Sequence, residues 1–160
     1  MAGDAGSKEP PASVCIRARA FLETMREAGH SLGLTPKLKE EWNDHAGRFA
    51  LRWWGVMKRK RLVVDVPTDY QTASRKKALQ TTKNSTERAA MEKDWHLIEA
   101  ALRADRTVAS SDKIVRALFV RAEVVIAQLS PIVWVNPSTG DFTTWLKANA
   151  PADANKRLGA

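Results

Sequence analysis

Four apolar runs of four or five residues punctuate the chain: HSLGL at 30–34, LVVDV at 62–66, TVAS at 107–110 and IVWV at 132–135. Segments of helical periodicity separate them. That alternation constrains the fold more than any other feature. Tight hairpins join antiparallel strands, whereas helix-length crossovers bring consecutive strands into a parallel sheet with helices on its faces. The expectation is an α/β fold, a three-layer α/β/α sandwich with a small parallel sheet. LVVDV, stopped by Pro67, reads as a short strand or an extended connection.

The helices follow from the spacing of apolar side chains. Val14, Ala18, Phe21, Leu22 and Met25 recur at helical intervals and Gly29 closes them, which predicts a helix near 14–28. Thr35 caps the next, with Pro36 at its first position, where the missing N–H costs nothing. Its stripe of Leu38, Trp42, Phe49, Trp53, Val56 and Met57 carries one helix over 36–59. Residues 70–89, rich in Lys, Arg, Ser and Thr, read as an exposed, mobile helix suited to gripping a substrate. Helices are expected near 92–104 and 112–129, the latter started by Asp112, with a turn at Asp105-Arg106 between them. Asp141 caps a last short helix holding Phe142, Trp145 and Leu146. The predicted organisation is an irregular lead-in over 1–13, one domain over 14–149 and a frayed tail over 150–160. No internal repeat is visible.

Composition narrows the class. The chain has 160 residues, 44% hydrophobic and 28% charged, the balance of a single soluble globular domain. No apolar run approaches the roughly 18 residues of a membrane span, and the opening MAGDAGSKEPPAS has no apolar signal region, so a cytoplasmic location is expected. Cys15 is the only cysteine, which excludes an intrachain disulfide and a zinc site built on several thiolates. His30, His45 and His96 lack metal-ligand spacing and read as structural or surface residues.

The net charge of +8 is confined to one segment. From Arg48 to Lys93 the chain holds twelve Lys/Arg against four acids, and the remainder is balanced at fourteen of each. So concentrated a positive field fits a polyanion, most simply nucleic-acid phosphate. The candidate contacts are Arg48, Arg52, Lys58, Arg59, Lys60, Arg61, Arg75, Lys76 and Lys77. Trp54, off the apolar stripe and inside this segment, is the tryptophan placed to stack on a base. The other reading of the segment is a solvated basic helix.

Acids near the carboxyl ends of parallel strands are the first candidates for a site, because ligands of open sheets sit there. Asp112 follows TVAS, and Asp94 is expected at the start of the preceding helix. An antiparallel return would bring both to one edge.

The run DWHLIEAALRADRTVASSD, Asp94 to Asp112, resembles the second half of a PIN domain: an acid, an Ala-rich apolar helix, a polar turn, a small strand, then Ser/Thr-x-Asp. Asp94, Ser110 and Asp112 fall on the motif positions. LGLTPKLKEEW, Leu32 to Trp42, resembles that family's second strand and following helix, with Glu41 at its glutamate. IVWVNP and the capped helix after it extend the likeness over about Val14 to Leu146.

The resemblance implies a metal-dependent nuclease, most simply a ribonuclease like the toxins of toxin–antitoxin pairs. Glu41, Asp94 and Asp112 would hold Mg²⁺ or Mn²⁺, and Ser110 would orient a ligand or bind phosphate. It also implies RNA as the partner, an antitoxin-like protein and a homodimer. PIN domains, however, open with an apolar central strand ending in aspartate. Nothing before Val14 resembles it, and Asp4 has no apolar strand ahead. Either the true start lies upstream of Met1, the favoured reading, or the chain is a degenerate binding module that kept the fold and lost the site.

Overall fold

A computed structural model describes residues 12–67 and 72–160. Along the described chain run α1 (Ala12–Glu27), β1 (Leu32–Leu34), α2 (Pro36–His45), α3 (Arg48–Arg59), β2 (Val63–Asp65), α4 (Thr72–Gln80), α5 (Ser85–Arg103), β3 (Thr107–Ala109), α6 (Lys113–Glu123), β4 (Val133–Val135) and α7 (Thr143–Lys147). Short 3-10 turns lie at Ala127–Leu129 and Ala154–Lys156. The architecture is mixed α/β, with helices flanking small parallel sheets. It groups into two compact units: the chain up to Val66 with Asn136–Pro151, and Pro67–Val135 with Ala152–Ala160. Asp4 and Asp69 lie outside the described residues.

In the first unit β1 pairs in parallel with β2, Gly33 opposite Val64. α1 ends where Gly29 adopts φ 78°, and the His30 N–H reaches back to the Met25 carbonyl, the Schellman closure that glycine makes cheap. Thr35 caps α2 through Leu38 N–H, with Pro36 at its first position. Tryptophans build the interior: the rings of Trp42 and Trp53 stand 5.8 Å apart, and Trp53 Nε1 donates to the Leu22 carbonyl at 2.6 Å. α7 is tied to α1 and its flank by Arg17 Nε to the Ser138 carbonyl, by His30 Nε2 to the Leu146 carbonyl, and by Phe21 edge-on to Phe142.

In the second unit β3 pairs in parallel with β4, Val108 opposite Trp134. Its core holds Met91, Trp95, Ile98, Val108, Leu118, Phe119, Leu129, Ile132 and Trp134, with Phe119 between the rings of Trp95 and Trp134. Glu99, buried among them, accepts from Trp95 Nε1 at 3.0 Å. Arg121 on α6 binds Glu87 on α5 at 2.7 Å and the Thr81 carbonyl at 3.3 Å, which pins the loop between α4 and α5.

Several expectations change. The strand segments are parallel, as their helical connections require, but they form two two-stranded sheets rather than one. LVVDV is a true strand and the partner of β1. The helix expected over 36–59 breaks at Ala46-Gly47, where both residues are extended. Residues 70–89 are not one exposed helix: α4 buries Ala78 and Leu79, and α5 begins at Ser85 behind an Asn84 cap. The helix begun by Asp112 stops at Glu123 and gives way to a 3-10 turn. The end of the chain, expected to fray, buries Leu158, whose N–H donates to the Ile132 carbonyl.

Candidate nucleic-acid interface

α3 has no acidic residue, and its closing turn adds Lys60 and Arg61. Trp53, Trp54 and Met57 face inward, while Arg48, Arg52, Lys58, Arg59, Lys60 and Arg61 are exposed. None of these six forms an ion pair with another described residue. Lys58 instead places Nζ 3.6 Å from the centroid of the Trp54 ring. Trp54 is therefore not a stacking platform: it is only 8% exposed and Lys58 covers its face. The sequence placed it beside the main stripe, but α3 buries a face wide enough to include it.

The helix ends in an unusual way. Leu62 N–H reaches back to the Met57 carbonyl, and Arg61 supplies the left-handed residue of this closure at φ 58°. Glycine is the usual occupant. Here a cation stands where backbone geometry prefers no side chain.

The acids within the basic segment are largely neutralised in place. Asp65 pairs with Lys39 at 2.6 Å and Glu87 with Arg121, both cations from outside the segment. Glu92 pairs with Arg75 at 3.1 Å, which engages one of the expected contacts. Lys76 and Lys77 on α4 are exposed. The Arg121 hydrogen bond, helped by the Lys83 backbone N–H, holds the Glu87 carboxyl below the ordinary glutamate range. Thr143, through its backbone N–H, does the same for Asp141.

The acidic positions divide between the units, with Glu41 on α2 of the first and Asp94 and Asp112 in the second. Glu41 is half-buried and its neighbour Glu40 exposed. Asp112 caps α6: its Oδ1 accepts from Val115 N–H at 2.9 Å, and Ser110 Oγ accepts from Asp112 N–H at 3.2 Å. Asp94 is not at a helix start. It lies half-buried in the middle of α5, between the inward-facing Met91 and Trp95.

Among the described residues no group of three or more His, Cys, Asp or Glu side chains is placed to hold a metal ion. His96 is buried on α5, and the His45 side chain lies outside the described residues. No described helix is long and apolar enough to cross a membrane. Comparison with models of known families, with curated proteins and with solved structures finds no match.

Proposed function

We propose that the chain is a nucleic-acid-binding module of PIN-like architecture, with α3 and its closing turn as the binding surface. One observation carries this reading: six exposed cations gathered on an acid-free helix and its last turn, without ion pairs among the described residues. Clustered like charges repel one another and destabilise the compact state. A polyanion relieves that repulsion, and counterion release adds to the affinity. Pairing of Asp65 with Lys39, in the same unit as α3, keeps that acid from offsetting the charge. The test is binding of mixed-sequence oligonucleotides at rising salt, alone and with Lys58, Lys60, Arg59 and Arg61 reversed to Glu. Affinity should fall steeply with salt and collapse in the variant; salt-insensitive or absent binding would return α3 to a solvated helix.

A metal-dependent nuclease is the second reading, favoured by the Ser110–Asp112 turn at the carboxyl end of β3. Asp112 retains a second carboxylate oxygen beyond its cap bond, yet two acids fall short of a closed Mg²⁺ or Mn²⁺ donor set. Cleavage of single-stranded RNA with Mn²⁺, assayed with an added N-terminal apolar strand ending in Asp and again after Asp94→Asn, separates the readings. Cleavage lost in Asp94→Asn would establish the nuclease; cleavage absent throughout would leave the binding module.

A further inference from the structure

We propose, resting on the nucleic-acid reading, that α3 lies against a double-helical nucleic acid, with Arg48, Arg52 and Arg59 on its phosphates and Gly55 at the point of closest approach. At about 100° per residue, Arg48, Arg52, Gly55 and Arg59 fall within about 60° of one another, opposite Met57. They form one straight row of about 16 Å along the outer face of the helix. All three arginines are exposed.

Gly55 makes this row more than a charged surface. Inside a helix, glycine costs roughly 0.5–1 kcal/mol relative to alanine, and neither a turn nor a positive φ calls for it here. A Cβ built at Gly55 would lie 3.8 Å from Arg59 Nη1, so the Arg59 guanidinium folds back over the bare backbone. Once a phosphate draws the Arg59 guanidinium off the Gly55 backbone, the notch between Arg52 and Arg59 lets it approach the helix itself while arginines close on it from both ends, as bidentate recognition favours.

The same face selects double-helical over single-stranded partners. Single-strand binders stack bases on exposed aromatic rings. On α3, Trp53 and Trp54 are buried, Lys58 covers the Trp54 ring, and Phe49 is half-buried beneath Arg19, whose guanidinium carbon stands 5.2 Å from its centroid. What α3 offers is rigid charge without a stacking platform. A helix of about 10–12 Å diameter matches the width of the DNA major groove, and on duplex RNA it would bridge the phosphates across the shallow groove.

The experiment uses the full chain with a two-turn DNA duplex, an RNA duplex of the same sequence and each single strand as probes. Duplexes should bind about tenfold more tightly than single strands at equal salt. Replacing Arg48, Arg52 and Arg59 together by Ala should reduce the salt slope on duplex DNA by about 2 to 3. Gly55→Gln, which fills the notch yet favours helix, should lower duplex affinity about fivefold or more while the melting temperature holds or rises. The ratio of the two duplex affinities says which double helix is the partner. Equal binding of single strands overturns the proposal, as does an unchanged slope in the triple variant. If the triple variant keeps its slope while Lys76→Glu with Lys77→Glu weakens binding, nucleic-acid binding stands and the α3 row falls. If no probe binds, both fall.

Discussion

Lys58 holds its ammonium 3.6 Å from the centroid of the Trp54 ring, one turn back along α3. The contact covers the aromatic face at the edge of the first unit's interior and leaves the Trp54 Nε1–H buried without a described partner. Lys58→Ala should therefore destabilise the protein by about 0.5–1 kcal/mol, the usual worth of a partly exposed cation–π pair. It should also shift the tryptophan emission. Urea unfolding followed by fluorescence checks both, and an unchanged midpoint would mean that the stacking adds no stability.

Acid should loosen the second unit through Glu87. Its folded pKa lies below the unfolded value because Arg121 and the Lys83 N–H bind the carboxylate. A depressed carboxyl stabilises the fold above its unfolded pKa, about 4.3, and loses that contribution as pH falls through the folded value. Wild type should be more stable than Glu87→Gln at neutral pH, and the gap should close on acidification below about pH 4. A gap independent of pH would show that the Gln variant fails for packing reasons.

Asp112 separates capping from charge. Its Oδ1 accepts the Val115 N–H, so Asp112→Ala should cost about 0.5–2 kcal/mol, whereas Asp112→Asn, an equally good cap, should stay within a few tenths. Denaturant midpoints of the two variants decide it. Equal loss in both would mean that the negative charge, and not the cap bond, is what α6 needs.

The elements that local chemistry dictates were legible. Gly29 closes α1, Thr35-Pro36 opens α2 and Asp112 opens α6 because each satisfies helix-end groups through neighbouring atoms. The start of α5 was also written in the chain, as Asn84-Ser-Thr-Glu87. Asn84 accepts the Glu87 N–H and Glu87 reaches back to the Lys83 N–H. The scarcity of large apolar residues over 85–90 masked that capping pattern. The break at Ala46-Gly47 was hidden for the opposite reason, since the apolar stripe continues across it. Pairing was out of reach: nothing within HSLGL or LVVDV says that they pair with each other, because register is settled by distant packing. The acids were locatable by motif, but Asp94 could be placed within α5 only once the helix start was known.

Arg61 closes α3 at φ 58°. A side chain in the left-handed region costs about 1–2 kcal/mol, and glycine avoids that cost. Glycine also gains more freedom in the unfolded chain, which offsets about 0.5–1 kcal/mol of the benefit. Arg61→Gly should therefore leave stability unchanged or raise it by up to about 1 kcal/mol. If the position is held by arginine for its charge, the same variant should bind nucleic acid more weakly, with the salt slope lowered by about 1. Arg61→Asn, which also tolerates the left-handed region, should bind as weakly as the glycine variant. Thermal unfolding and salt-dependent binding on the same samples read the two effects independently. A stabilised Arg61→Gly chain that binds like wild type would remove Arg61 from the interface, and the cationic surface would then end at Lys60.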